Sequence, residues 1–318
     1  MKILITGGAG FIGSHLTRHL LDQGHHVHLI DDLSTGSFAN VSDVLGDRCT
    51  LQVQKVHEAL SNYSWLADFD AIYHLAAAVG VKLIVDKPVH TIETNVLESA
   101  RVLQAAAAFR LPVLLTSSSE VYGKSHQVPF REDDDVTYGA TCYSRWSYAS
   151  TKAIDEYMGL AYHQQSNLGV VIVRLFNTVG PRQVGHYGMV IPRFVHAAVH
   201  GEPLEIYGDG EQTRCFSHVS DVVNAFPRLL ADADCHGRVF NIGSDHEVTI
   251  NQLADRVIEL TGGKSEKRYV PYDVAYKTQF EDLRRRVPDL TRVRQAIDWN
   301  VTHSLDDILR QLIELERG

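Results

Sequence analysis

Lys2-Ile3-Leu4-Ile5-Thr6-Gly7-Gly8-Ala9-Gly10-Phe11-Ile12-Gly13 decides the architecture of this chain. The first five residues read as a buried strand that runs without a linker into a glycine turn. Glycines at 7, 10 and 13 give a GxxGxxG spacing. That spacing allows a tight turn, close approach of backbone to a pyrophosphate, and a helix N-terminus whose N–H groups face the phosphates. An ordinary strand-to-helix turn also uses glycine. Here, however, a helical pattern follows over 14–23, with Leu16, Leu20 and Leu21 on one face. A second strand comes next over 27–30. A strand–turn–helix–strand unit is the setting in which such glycines hold a dinucleotide, and Gly7, Gly10, Phe11, Ile12 and Gly13 are the residues expected at it.

Asp31 and Asp32 end the second strand, 18 residues beyond Gly13. A carboxylate there accepts hydrogen bonds from ribose hydroxyls and repels a 2′-phosphate, so NAD is expected rather than NADP. Neither Arg nor Lys lies between Asp31 and Asn40. The competing reading for either Asp is a turn or helix cap.

Working outward, apolar runs at 71–75, 113–116 and 170–174 repeat the strand pattern, with a helix over about 94–109. Strands alternating with helices predict a doubly wound parallel sheet of Rossmann type, covered on both faces. After Arg174, Pro181, Pro192 and Pro203 fall in glycine-rich stretches, and helical patterns return at 194–199, 219–230, 250–260 and 305–316. This predicts an NAD-binding domain over 1–175 and a smaller α/β substrate domain over 176–318, interleaved with the first.

The composition, 44% hydrophobic and 22% charged over 318 residues, is that of a globular chain. A net charge of -9 argues against a nucleic-acid partner, which selects for basic surfaces. Cys49, Cys142, Cys215 and Cys235 contain no CxxC pair, and His25, His26 and His74 form no metal set, so no metal is expected. Free thiols point to a reducing cytoplasm. No apolar run reaches a span of roughly 18 residues, and the immediate opening on a strand predicts no cleavable leader.

The chemistry concentrates in two places. Tyr148 and Lys152 are spaced i, i+4, one helical turn apart on one face. A Lys ammonium beside a phenol favours the phenolate, which makes Tyr148 a base near neutral pH. Surface Tyr/Lys pairs are common, but a second element accompanies this one. Thr116-Ser117-Ser118-Ser119-Glu120 ends a buried strand at its carboxyl edge, where open α/β sheets bind ligands.

The glycine turn, His74-Leu75-Ala76-Ala77, the Ser-rich strand end, Tyr148-x-x-x-Lys152 and Arg174-Leu175-Phe176-Asn177-Thr178-Val179-Gly180-Pro181-Arg182 occur in that order. Together they resemble the extended short-chain dehydrogenase/reductases, the nucleotide-sugar epimerases, dehydratases and decarboxylases, over nearly the whole chain. The resemblance implies Ser118, Tyr148 and Lys152 as a catalytic triad, with Tyr148 acting at the sugar C4 hydroxyl. It implies Leu75, Ala76, Ala77 and Asn95 beside the cofactor and Ser119 beside the substrate. It further implies Asn177 near the substrate diphosphate and Arg214 gripping phosphate. Members of the family commonly form homodimers through a four-helix contact, here the helices containing 94–109 and 148–163.

Glu120 narrows the choice. Epimerisation at C4 needs only hydride removal and return, whereas a carbanion-like intermediate at C5 needs a proton donor. In the resemblance, enzymes that move a C5 proton carry Glu at this position; a solvated or salt-bridged Glu is the bland alternative. Arg145-Trp146-Ser147-Tyr148-Ala149 is similar to UDP-glucuronate decarboxylases of the bacterial lipid A arabinose pathway and to UDP-apiose/xylose synthases. Arg284-Arg285-Arg286-Val287-Pro288-Asp289 is similar to the Arg-Lys-Pro-Asp segment of the decarboxylases. It places Arg286, in preference to Arg182 or Arg285, as the carboxylate-holding residue; a solvated turn is the competing reading. Asn177-Thr178-Val179-Gly180 instead follows the general epimerase form. The expectation is NAD-dependent decarboxylation of UDP-glucuronate through a 4-ketone, with UDP-sugar 4-epimerase next and 4,6-dehydratase third.

Overall fold

The computed structural model describes residues 1–80, 86–183, 189–275 and 283–318. Six strands, β1 (Lys2–Thr6), β2 (His26–Asp31), β3 (Cys49–Val53), β4 (Ala71–His74), β5 (Val113–Ser118) and β6 (Val170–Leu175), are joined by Arg238–Ile242 in one sheet. The order is Arg238–Ile242, β6, β5, β4, β1, β2, β3, and every pairing is parallel. The chain leaves β1 towards β2 and β3, then returns to place β4 on the other side of β1. That reversal opens a crevice at the carboxyl ends of the central strands.

Alternation in β1 shows why the sheet is buried twice. Ile3 and Ile5 pack on one face with Leu16 and Leu20 of α1 (Phe11–Asp22). Leu4 packs on the other, in a cluster with Ile72, Leu115 and Ile172. Val102 and Leu103 of α2 (Pro88–Phe109) join that second cluster, and α3 (Ser147–Ser166) lies against α2 and β5. A separate core forms in the second half, where Phe194, Ile206, Leu253, Val257, Ile308 and Leu309 meet.

Three boundaries differ from the sequence reading. α2 begins at Pro88, well before residue 94, because proline suits the first helical turn, where its missing N–H is not needed. A helix covers Val190–Val199 for the same reason: Pro192 sits in its first turn instead of breaking it. β3 went unread because it is a half-exposed edge strand carrying Thr50 and Gln52.

One buried ion pair ties the catalytic-side elements together. Arg174 at the end of β6 donates through Nε and Nη2 to Glu156 of α3, at 2.9 and 2.7 Å. The Ser117 hydroxyl of β5 donates to the same carboxylate at 2.5 Å. Bidentate geometry satisfies both carboxylate oxygens, which burial requires. Arg174→Met should therefore cost about 3–5 kcal/mol by stranding the Glu156 charge. Urea unfolding checks this, and Arg174→Met/Glu156→Gln should recover part of the loss.

Candidate active site

The crevice is a cleft of about 710 Å³ at the carboxyl ends of β1, β4, β5 and β6. Its floor is the glycine turn. A Cβ on Gly7, whose φ is +72°, would lie 2.7 Å from the Ala76 nitrogen, and one on Gly13 would lie 2.1 Å from the Gly7 carbonyl oxygen. Any larger residue would fill the cradle. Gly10 begins α1 with no side-chain cap, and no acidic residue occupies the first turn, so the helix N-terminus meets an anion without competition. These features fit a dinucleotide pyrophosphate.

Asp31 is buried and accepts from the N–H groups of Ala9 and Leu33 at 2.9 and 2.8 Å. Burial pushes its carboxyl upward while those two N–H groups pull it down. Asp32 is exposed and accepts from Ser34 N–H. Both line the cleft, so each closes a turn and faces the ligand space together. Phe11, Ile12, Leu75, Ala76 and Ala77 line the cleft as expected. Asn95 does not. Its oxygen accepts from Ala78 N–H at 2.8 Å and its amide donates to Thr151 Oγ1 at 3.2 Å, so it is consumed in joining the loop after β4 to α3.

Tyr148 and Lys152 stand on α3, both buried and both lining the same cleft as the glycine turn. Ser118 ends β5, where its Oγ accepts from Glu120 N–H at 3.3 Å and caps the short turn Ser119–Tyr122. Ser119 and Glu120 also line the cleft. Glu120 Oε1 lies 2.7 Å from Arg286 Nη1, with side chains only 15% and 8% exposed. Arg286 Nε is buried without a partner among the described residues. The arginine run divides: Arg284 pairs with Asp209 and Arg285 with Glu247, both at the surface, and Arg286 alone of the three enters the cleft.

Asn177 lines the cleft and donates to the Cys215 carbonyl at 3.0 Å. Arg214 lines it too, held by the carbonyls of Thr213 and Leu283. Arg182, expected at the substrate, also lines the cleft and donates through Nε to Ser14 Oγ of α1 at 3.0 Å. The turn at Pro181, whose carbonyl meets His15 Nε2 at 2.9 Å, carries Arg182 back to α1 and the cofactor end. Sequence reasoning missed Arg193 stacked 4.3 Å over Tyr207 in the far wall of the cleft. The signal was Tyr207-Gly208-Asp209-Gly210, a strand ending in a glycine turn.

A family model described as GDP-mannose 4,6 dehydratase matches residues 4–312. The chain belongs to that family of extended short-chain dehydrogenases. It is 40% identical to a UDP-N-acetyl-alpha-D-glucosaminuronate decarboxylase of Bacillus cytotoxicus, across 98% of this chain and 97% of that protein. It is 33% identical to UDP-glucuronic acid decarboxylase 1 of Xenopus tropicalis, across 99% of this chain and 72% of that one. The solved UDP-glucuronic acid 4-epimerase of Bacillus cereus, in complex with UDP-glucuronic acid and NAD, superposes with a TM-score of 0.88. Its identity is 27%, covering 100% of this chain and 99% of that one.

Within this short-chain dehydrogenase, His74 ends β4 directly behind the cleft. Its Nδ1 meets Thr6 Oγ1 at 2.7 Å and its Nε2 meets Ser99 Oγ at 3.0 Å. Burial, with the Lys152 charge adding to it, lowers its pKa from 6.5 to about 3. A depressed histidine stabilises the fold fully above its unfolded value of 6.5. That stability drains as pH falls towards about 3, because only the unfolded chain takes up the proton. Urea midpoints of wild type and His74→Gln, measured from pH 7 to 4, should show a shallower decline in the variant.

Proposed function

We propose that this enzyme decarboxylates a UDP-hexuronate, UDP-glucuronate in the first instance, to a UDP-pentose through a 4-keto intermediate. The observation that carries the reading is Glu120 against Arg286 at 2.7 Å in the cleft that holds Tyr148 and Lys152. A guanidinium suits any uronate, whereas an acid placed to protonate C5 is needed for decarboxylation and not for epimerisation at C4. The names of the Bacillus cytotoxicus and Xenopus relatives support the same choice.

The glycine turn and Asp31 would hold NAD, which when bound would supply a reversible hydride acceptor at the sugar C4. Tyr148 takes the C4 hydroxyl proton, aided by the Lys152 ammonium, and the Ser118 hydroxyl orients the same oxygen. Arg286 grips the C6 carboxylate. With C4 a ketone, that carboxylate belongs to a β-keto acid, and losing carbon dioxide leaves an enolate. Glu120, directly or through a water, protonates C5. Asn177 and Arg214 receive the substrate diphosphate, with Ser119 beside the sugar. Arg182, by its contact with Ser14, serves the cofactor pyrophosphate. On this reading 1–175 holds the cofactor and 176–318 mainly the nucleotide-sugar.

Mass spectrometry of the product from UDP-glucuronate should show loss of carbon dioxide. Glu120→Gln should lower that turnover by roughly 10²–10⁴-fold. An isomeric product of unchanged mass, insensitive to Glu120→Gln, means a 4-epimerase, which the Asn177-Thr178-Val179-Gly180 form favours.

We infer a homodimer. Val89, Ile92 and Leu97 on α2 and Ile154 and Tyr157 on α3 are exposed apolar side chains on two packed helices, and a second copy buries such a surface as a four-helix contact. The Ala105–Ala106 pair is not part of it, since both pack against the sheet. A cytoplasmic location fits four cysteines that form no disulfide and an exposed Cys142; among the described residues no helix is long and apolar enough to cross a membrane. Tyr157→Glu should shift the light-scattering mass from dimer to monomer.

A further inference from the structure

Tyr148, Lys152 and Asp155 fall at i, i+4 and i+7 on α3, one stripe facing inward. Asp155 is 3% exposed, and its Oδ2 lies 3.2 Å from Lys152 Nζ. Its Oδ1 is buried with no hydrogen-bond partner among the described residues. The next residue shows how a purely structural carboxylate is kept in this interior. Glu156 has both oxygens bonded to Arg174 and a third bond from Ser117. Asp155 has one 3.2 Å contact to an ammonium and the Ser99 hydroxyl beside it; burial raises its carboxyl above the usual range, against the pull of Lys152 and Ser99. A buried carboxylate with fewer partners than Glu156 is costly to ionise, and the Lys152 ammonium is what offsets that cost.

The surroundings connect it to the glycine turn. The Ser99 hydroxyl of α2 faces Asp155 and meets His74 Nε2 at 3.0 Å. His74 Nδ1 meets Thr6 Oγ1 at 2.7 Å, and Thr6 is the last residue before Gly7. The groups facing Asp155 are thus Lys152 and Glu156 on its own helix, Ser99 from α2, and behind Ser99 the imidazole of His74 from β4. Glu156 is neutralised by Arg174, and His74 stays neutral down to about pH 3. Among the described residues, Lys152 is then the one neighbour whose charge answers that of Asp155.

We propose that Asp155 is a positioning residue for the reaction: its carboxylate fixes the Lys152 ammonium and limits the field which that ammonium presents to Tyr148. The proposal concerns the same site as the function above and rests on Tyr148 as its base. Seven residues along a helix span about 10 Å. A unit charge at that distance and an effective dielectric near 20 moves a titration by about one pH unit. Its negative sign holds the phenol protonated, so removing it moves the Tyr148 midpoint to lower pH.

The test uses the full-length enzyme with NAD and no sugar, so it does not depend on which nucleotide-sugar is turned over. Ultraviolet difference titration reads phenolate formation, and subtracting a Tyr148→Phe partner in each background isolates Tyr148. Asp155→Asn should lower the midpoint by about one unit. Asp155→Ser, smaller and easily accommodated, should do the same and serves if the Asn variant does not fold. Asp155→Glu keeps the charge but adds a methylene, so the midpoint should stay while kcat falls several-fold as Lys152 is displaced. A midpoint unmoved in both neutral variants overturns the proposal, as does a wild-type kcat in Asp155→Glu. If the midpoints move as expected but no nucleotide-sugar is converted, the functional reading fails and the Asp155 assignment stands.

Discussion

Between Gly7 and Gly13 there is no room for a methyl group. A Cβ on Gly13 would sit 2.1 Å from the Gly7 carbonyl oxygen, and one on Gly7 would meet the backbone of Ala76. This contact brings α1 down onto the end of β1 and lets the loop after β4 close over the same point. The cleft exists where it does because three backbones converge within van der Waals distance. Ala76 N–H then lies within reach of Thr6 Oγ1, at 3.3 Å, so a polar thread begins at the tightest place in the fold.

α3 divides its work by helical periodicity. Tyr148 and Lys152 face the cleft, and Glu156, one step past Asp155, turns to Arg174 and Ser117. A helix pinned at Glu156 to β5 and β6 cannot rotate without stranding a buried charge. The register of Tyr148 against Ser118 is therefore fixed by an ion pair that takes no part in the chemistry. Stability and catalytic geometry are coupled through adjacent residues on one helix.

The sheet was readable because each of its central strands is an unbroken apolar run, the consequence of burial on both faces. The glycine turn was readable because only glycine fits the approach just described. For Arg182, sequence shows an anion-binding side chain without showing that a proline turn also brings it against Ser14 of α1. Asn95 was placed at the cofactor because a buried amide and a ligand-facing amide look alike until the Ala78 and Thr151 partners are seen. Asp155 went unread since beside Glu156 it looks like half of an exposed acidic pair, and only three-dimensional packing separates the two. Arg286 lines the cleft and Arg284 and Arg285 do not, yet its partner Glu120 lies 166 positions away, and no local pattern could join them.

On the decarboxylase reading, that pair is what would discriminate between substrates. Withdrawing one member of a buried ion pair leaves the other uncompensated, at a cost of about 3–5 kcal/mol. Arg286 therefore leaves Glu120 only when another anion arrives. A uronate carries that anion at C6, and a hexose with a neutral C6 hydroxyl does not. Once Arg286 turns to the substrate, its 2.7 Å contact with Glu120 is given up. The protonated carboxyl is the form able to deliver a proton to C5. Under the decarboxylase reading, the exchange that admits the substrate also parts the acid from its guanidinium, and a substrate lacking the carboxylate would leave the pair closed.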